Sequence, residues 1–194
     1  MCPVQPADVA TLAARIRATA PRLGRVRLVC VDGPAGSGKS TLAGVLTERL
    51  AGEEGARCAV VHMDDLYEGW SGLGSVWARV EEQVITPLAR GLPARYQRYD
   101  WHAGCFAEWI QVPVPDVLVL EGCGSAPRAV DDRAVLRVFV EAPAQVRLAR
   151  GLARDGEAER GNWLAWMDDE AAEFVREDTR ARADLVIDGT LPLL

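Results

Sequence analysis

Lysine is almost absent from this 194-residue sequence: of 22 basic residues only Lys39 is a lysine, and the rest are arginines spread along the chain. With a net charge of −6 and a pI near 5, it lacks the electrostatic footprint of a nucleic-acid binder or of a protein drawn to anionic membranes. No stretch approaches the roughly 20 apolar residues that span a bilayer, and the opening MCPVQPADVATLAARIR has no basic segment leading into an apolar one. A cytoplasmic location is therefore expected. Histidine is scarce too, at two residues, His62 and His102, and the five cysteines (Cys2, Cys30, Cys58, Cys105, Cys123) show no CxxC spacing. That excludes a zinc-ribbon type of site and points to reduced thiols, several of them in the core.

What remains is the composition of an ordinary globular protein, about half apolar and a quarter charged. The length suits one core, so a single domain over 1–194 is expected. Helical spacing of Val9, Leu12, Ala13 and Ile16 predicts a helix from Pro6 to Ala20, and RVRLVCVD (Arg25 to Asp32) reads as a strand before a Gly/Pro turn and a helix from Lys39 to Leu50. A second cycle runs through a strand at Arg57 to Met63, a loop to Gly74 and a helix from Ser75 to Arg90. Residues 91–115 read as short strands and loops covering a site. Asp116 to Glu121 and Val135 to Val140 are buried strands, followed by helices at Ala142 to Asp155 and Trp163 to Arg182 and a last strand at Leu185 to Ile187. Continuous apolar strands alternating with helices predict an α/β three-layer sandwich with a mostly parallel five-stranded sheet and helices on both faces. Ligands of such sheets bind at the carboxyl ends of the strands.

Gly33-Pro34-Ala35-Gly36-Ser37-Gly38-Lys39-Ser40 fits GxxxxGK[ST] in full, after a predicted strand and at the opening of a predicted helix. Such a loop turns its amides toward a phosphate, with the helix N-terminus adding positive potential. Gly33, Ala35, Gly36, Ser37, Gly38, Lys39, Ser40 and Thr41 are the nucleotide-binding candidates, with Lys39 bridging the outer phosphates and Ser40 holding Mg²⁺. An NKxD-type guanine reader cannot occur beside a single lysine already placed in the loop, which leaves ATP as the nucleotide.

Phosphoryl transfer to an alcohol asks for one carboxylate near the acceptor hydroxyl and another near the metal. Asp64 and Asp65 follow the second strand, and Glu121 ends the run VLVL. With GPAGSGKST, the DDLY of Asp64 to Tyr67, the RYDW of Arg98 to Trp101, the LEG of Leu120 to Gly122 and the segment Arg150 to Gly161, the chain resembles the uridine kinase and phosphoribulokinase-like group of P-loop kinases. The resemblance implies that Asp64 is the catalytic base and contributes to the metal site. It implies that Glu121 binds Mg²⁺ or its water and that Tyr67 and Tyr99 line the acceptor pocket. A lid is expected over about 147–162, where Arg147, Arg150 and Arg154 fall at i, i+3 and i+7 on one helical face, followed by Arg160. Arg150 and Arg154 are the catalytic candidates alongside Lys39 and Asp64; an exposed, solvated arginine face is the alternative.

The acceptor is less defined. Gly104 stands where the family carries a histidine, and EGWSGLGS follows Tyr67 in place of an aspartate-rich segment that grips a ribose. His102 is a substitute or a surface histidine. Trp70, Trp77, Trp101 and Trp109 fall in the covering region of about 64–115, as a stacking surface or as core; Arg98 and Arg95 could meet a phosphate on the acceptor or pair with surplus carboxylates. A nucleoside-like acceptor leads, with a nucleoside monophosphate, a sugar or a natural product as alternatives. An ATP-binding regulatory module with slow hydrolysis is the rival of another class, and a homodimer is compatible with short kinases of this type.

Overall fold

The computed structural model describes residues 4–5 and 8–193. Its principal sheet has strand order β1-β8-β7-β2-β6-β3 with every neighbouring pair parallel. The five expected strands are β2 (Arg27–Asp32), β3 (Cys58–His62), β6 (Val117–Glu121), β7 (Ala134–Glu141) and β8 (Leu185–Asp188). A sixth, the two-residue β1 (Val4–Gln5), adds to the edge beside β8. Two residues give no hydrophobic period to read, which is why the expectation stopped at five.

Buried strands must satisfy both faces, and here alternate residues do so. Val29, Val31, Val117, Val119 and Val138 face a cluster formed with Leu12 and Ile16 of α1 (Val9–Ala18) and Leu42 and Leu46 of α2 (Lys39–Glu54). Leu28, Cys30, Val61, Leu118 and Leu120 face the other way, toward α3 (Val76–Val80), α4 (Thr86–Ala89) and Trp166 of α6 (Arg160–Glu177). The first helix is shorter than expected, beginning after its cap Asp8, whose side chain accepts from Thr11 N–H at 3.1 Å; Pro6 and Ala7 lie outside the described residues, as does Cys2. The helix expected from Ser75 to Arg90 runs without a gap from Val76 to Ala89, its middle turn, Glu81–Ile85, wound as a π-helix.

Residues 91–115 fold as an antiparallel hairpin, β4 (Ala94–Asp100) and β5 (Cys105–Val112), with an irregularity between Gln97 and Tyr99. The helix carrying the arginine triplet is α5 (Ala144–Asp155), and the helix beyond it divides at Asp178, in left-handed backbone, into α6 and α7 (Thr179–Arg182). Among the described residues, no helix is long and apolar enough to cross a membrane.

Candidate active site

Sheet register brings the chemistry together. Val31 pairs with Glu121 and His62 pairs with Glu121, so β2, β6 and β3 end side by side. The turn after β2 is residues 33–38, and α2 starts at Lys39 with Gly38, in left-handed backbone, as its cap. Two positions demand glycine outright. A Cβ on Gly33 would sit 2.1 Å from Val140 O, and one on Gly36 would sit 2.7 Å from Arg147 O, both at positive φ.

Asp32 ends β2 wholly buried, with its Oδ1 accepting from Gly33 N–H (2.7 Å) and Gly124 N–H (2.9 Å) and its Oδ2 from Ala126 N–H (2.8 Å). Burial raises its pKa to about 6 against the pull of the Ala126 and Gly33 amides, Lys39 and the Gly124 amide. The carboxylate thereby welds the phosphate loop to the loop after β6, a role that the expected site did not include. An aspartate at the foot of a buried strand was its one sequence signal.

Lys39 is buried, and its Nζ donates to Pro34 O at 2.9 Å and lies 3.8 Å from Cys123 Sγ. Burial acts against its charge, but the fields of Cys123, Glu121, Asp64 and Glu170 together hold its pKa above the ordinary value. Ser37 Oγ is buried in the loop without a hydrogen-bond partner. Ser40 Oγ donates to Glu121 Oε1 at 3.1 Å, and the same oxygen meets His62 Nδ1 at 2.5 Å, which raises the histidine pKa. Asp64, in the short 3₁₀ turn after β3, keeps part of its surface exposed among the groups that surround it. That partial loss of hydration raises its carboxyl pKa and Glu121 adds to the rise, while Lys39, Arg154 and His62 oppose it.

Aromatic rings flank Asp64. Trp101 Nε1 donates to Asp64 O at 2.9 Å, its ring is 40% exposed, and it meets Trp70 (5.5 Å) and Tyr99 (5.6 Å) edge to face. Trp70 also packs on Trp163 and Trp166. Tyr67 lies elsewhere: it is wholly buried and its hydroxyl donates to Cys123 O at 2.7 Å, so it forms the floor beneath the loops instead of an open pocket wall. Tyr99 is buried behind Trp101. Arg98 forks onto Glu108 across the hairpin (2.6 and 3.2 Å), and His102 lies exposed in the hairpin turn.

The arginine triplet of α5 separates by task. Arg154 pairs with Asp155 and lies over the Trp163 ring at 5.8 Å, near enough to the site for its charge to act on Asp64 and Glu121. Arg150 donates to Gly36 O (3.0 Å) and Gly189 O (3.1 Å), and Arg147 pairs with Glu170 at 2.6 Å. These two bind main-chain carbonyls of the phosphate loop and Glu170, whereas the resemblance implied a lid in which they stand with Arg154 over a triphosphate. Arg160 pairs with Glu157 at the start of α6.

A family model described as "AAA domain" matches residues 29–179, which takes in the phosphate loop, Asp64, Glu121 and the α5 arginines. The chain belongs to the AAA domain family. Within that P-loop family its fold resembles solved kinases. A possible uridine kinase from Bacillus stearothermophilus superposes with a TM-score of 0.67 at 22% identity, over 93% of this chain and 97% of the other. A candidate fructose transport system kinase from Silicibacter sp. TM1040 gives 0.62 at 23% identity, over 92% and 98%. Among curated proteins none matches the sequence. The AAA-family chain thus has the fold of a uridine kinase-like P-loop kinase.

Proposed function

We propose that the protein is a kinase that transfers the γ-phosphoryl group of Mg·ATP to a hydroxyl of a small molecule with a flat face, nucleoside-like in the first instance. The observation that carries this reading is the join between Asp64 and Trp101: the indole, 40% exposed, is hydrogen-bonded to the main chain of Asp64, an exposed carboxylate within the field of Lys39. Base and stacking surface are then a single unit. Aromatic rings of this kind bind flat ligand faces, and sugar-type acceptors are the alternative.

The loop suits a polyphosphate: its glycines are in left-handed backbone, and Ser37 Oγ is a buried hydroxyl without a partner. Lys39 Nζ would exchange Pro34 O for the outer phosphates. Ser40 and Glu121 are the hard oxygen donors suited to Mg²⁺, which usually takes one or two protein oxygens and completes its shell with phosphate and water. Bound there, the ion would neutralise charge between the outer phosphates. Asp64 takes the proton of the acceptor hydroxyl as its oxygen bonds to the γ-phosphorus, and the electron pair of the breaking bond leaves with ADP. Arg154, near Asp64 and Glu121, adds positive charge to the transferring group.

The test is a coupled ADP-release screen with Mg·ATP against nucleosides, nucleoside monophosphates, sugars and aminocyclitols, with Asp64→Asn beside the native enzyme. Release that requires both an acceptor and Asp64 supports the reading and names the class. Release that no acceptor stimulates, and that Asp64→Asn leaves unchanged, refutes it in favour of a slowly hydrolysing regulatory module.

A further inference from the structure

Helix α6 buries Trp163, Trp166, Glu170 and Glu173 along one face. A glutamate 1% exposed on the face that begins with two indoles has lost its hydration, and such a group persists only where it is bonded and paired. Glu170 is both. Its Oε1 accepts from Arg147 Nη1 at 2.6 Å, its Oε2 accepts from Ala35 N–H at 2.7 Å, and Cys123 Sγ lies 3.4 Å from Oε2. Arg147 closes the ring: its Nη1 donates to Ala35 O at 3.4 Å and its Nε to Ala142 O at 3.1 Å. Both main-chain polar atoms of Ala35 are therefore held by one ion pair, supplied by two helices that lie outside the loop. The next residue, Gly36, rests on the Arg147 main chain and gives its carbonyl to Arg150.

A loop with Gly33, Gly36 and Gly38 in left-handed backbone has many conformations to lose, and phosphate binding needs one of them. Ordering the loop in advance removes that cost from binding. We propose that Glu170 is a positioning residue of the phosphate loop, acting through Ala35 with Arg147 as its counter-charge, so that the loop is preset before a nucleotide arrives. The inference rests on the nucleotide-binding reading above. It also links the loop to α5 and α6, the elements that carry Arg154 and Trp163 to the site.

A pair that only braced the fold could be exchanged for apolar side chains, since replacing a buried ion pair with hydrophobic residues is often neutral or stabilising. The experiment compares Arg147→Met/Glu170→Met with Glu170→Gln, reading Mg·ADP affinity by calorimetry, hydrogen exchange of the 33–40 amides and thermal unfolding. The double variant should fold with a melting temperature near that of the native protein. Its ADP affinity should fall about tenfold, the equivalent of ordering one further residue's backbone, with faster exchange in the loop. Glu170→Gln keeps an acceptor for Ala35 N–H and should recover most of that affinity. ADP binding by the folded double variant at native strength overturns the proposal, and so does a folded Glu170→Gln as weak as the double variant. Should the double variant not fold, Glu170→Gln is set against Glu170→Asp, whose carboxylate stops one methylene short of Ala35; Gln must bind ADP more tightly, and the reverse order overturns the proposal. Absence of ADP binding by the native protein would sink the kinase reading itself, whereas native affinity shared by every variant sinks only the role of Glu170.

Discussion

Replacing glycine by alanine inside a helix ordinarily stabilises it by about 1 kcal/mol, because alanine has less backbone freedom to lose. Gly44 and Gly151 should nevertheless respond with opposite signs. Gly44 lies exposed in α2 with no atom within 4 Å of an added Cβ, so Gly44→Ala should show the full gain. At Gly151 of α5 the same methyl would lie 2.2, 2.3 and 2.6 Å from three carbons of the Trp163 ring. Carbon contacts settle near 3.5–4.0 Å, so ring or helix must move by more than about 1 Å. Trp163 has little room to do so: it is 1% exposed, its Nε1 donates to Asp155 Oδ2 at 3.0 Å, and Trp70 packs against it. Overpacking of this kind costs about 1–3 kcal/mol, and the rigidity of the site argues for the upper end. Set against the helical gain, Gly151→Ala should lose about 2 kcal/mol. For a chain of this size about 2–4 °C accompanies each kcal/mol, so Gly151→Ala should melt about 4–8 °C below the native protein and Gly44→Ala about 2–4 °C above it. Circular dichroism melts of the three proteins decide the matter. A Gly151→Ala variant as stable as Gly44→Ala would show that the helix α5 to Trp163 contact is not the close one described.

Other perturbations reach the site. Asp64→Asn should abolish acceptor-dependent ADP release while leaving ADP binding intact. Because burial raises the Asp64 pKa and a base works only when deprotonated, native activity should fall with decreasing pH through a midpoint above the ordinary aspartate value of about 3.9, as a pH–rate profile would read. Asp32→Ala strips the acceptor from three amides of the loops after β2 and β6; at about 1–3 kcal/mol for each buried donor left unpaired, denaturant unfolding should show a loss of several kcal/mol, and a loss under about 1 kcal/mol would refute the weld. Trp101→Ala should raise KM for the acceptor with little change in KM for ATP, and an equal rise in both would remove the stacking surface from consideration.

Strong periodicity and a complete motif made much of this molecule readable in advance. The apolar runs of β2, β6 and β7 are buried on both faces, which only a covered parallel sheet explains, and the phosphate-loop spacing located the turn, the helix start and Lys39 together. That Asp64 and Glu121 would lie near each other was legible because strand ends in such a sheet converge. What helical spacing could not tell was the surface that the α5 face meets: guanidiniums at i, i+3 and i+7 share a face, yet two of them meet loop carbonyls or Glu170, while Arg154 pairs with Asp155 and acts on Asp64 only through its charge. Tyr67 misled for a related reason, since a motif gives the order of residues along the chain and not the side to which a ring turns. Glu170 belongs to no motif; its position seven residues on from Trp163 and four on from Trp166 was the available signal, visible only once that face is known to be buried.

The solitary lysine has a practical consequence. Because Lys39 is the sole lysine side chain in the sequence and lies in the phosphate loop with its amine on Pro34 O, amine-directed reagents have a single internal target. An aldehyde or acyl-phosphate derivative of ATP should therefore leave one internal adduct, and its mass signal would serve as a direct gauge of how much of a preparation has a usable nucleotide loop.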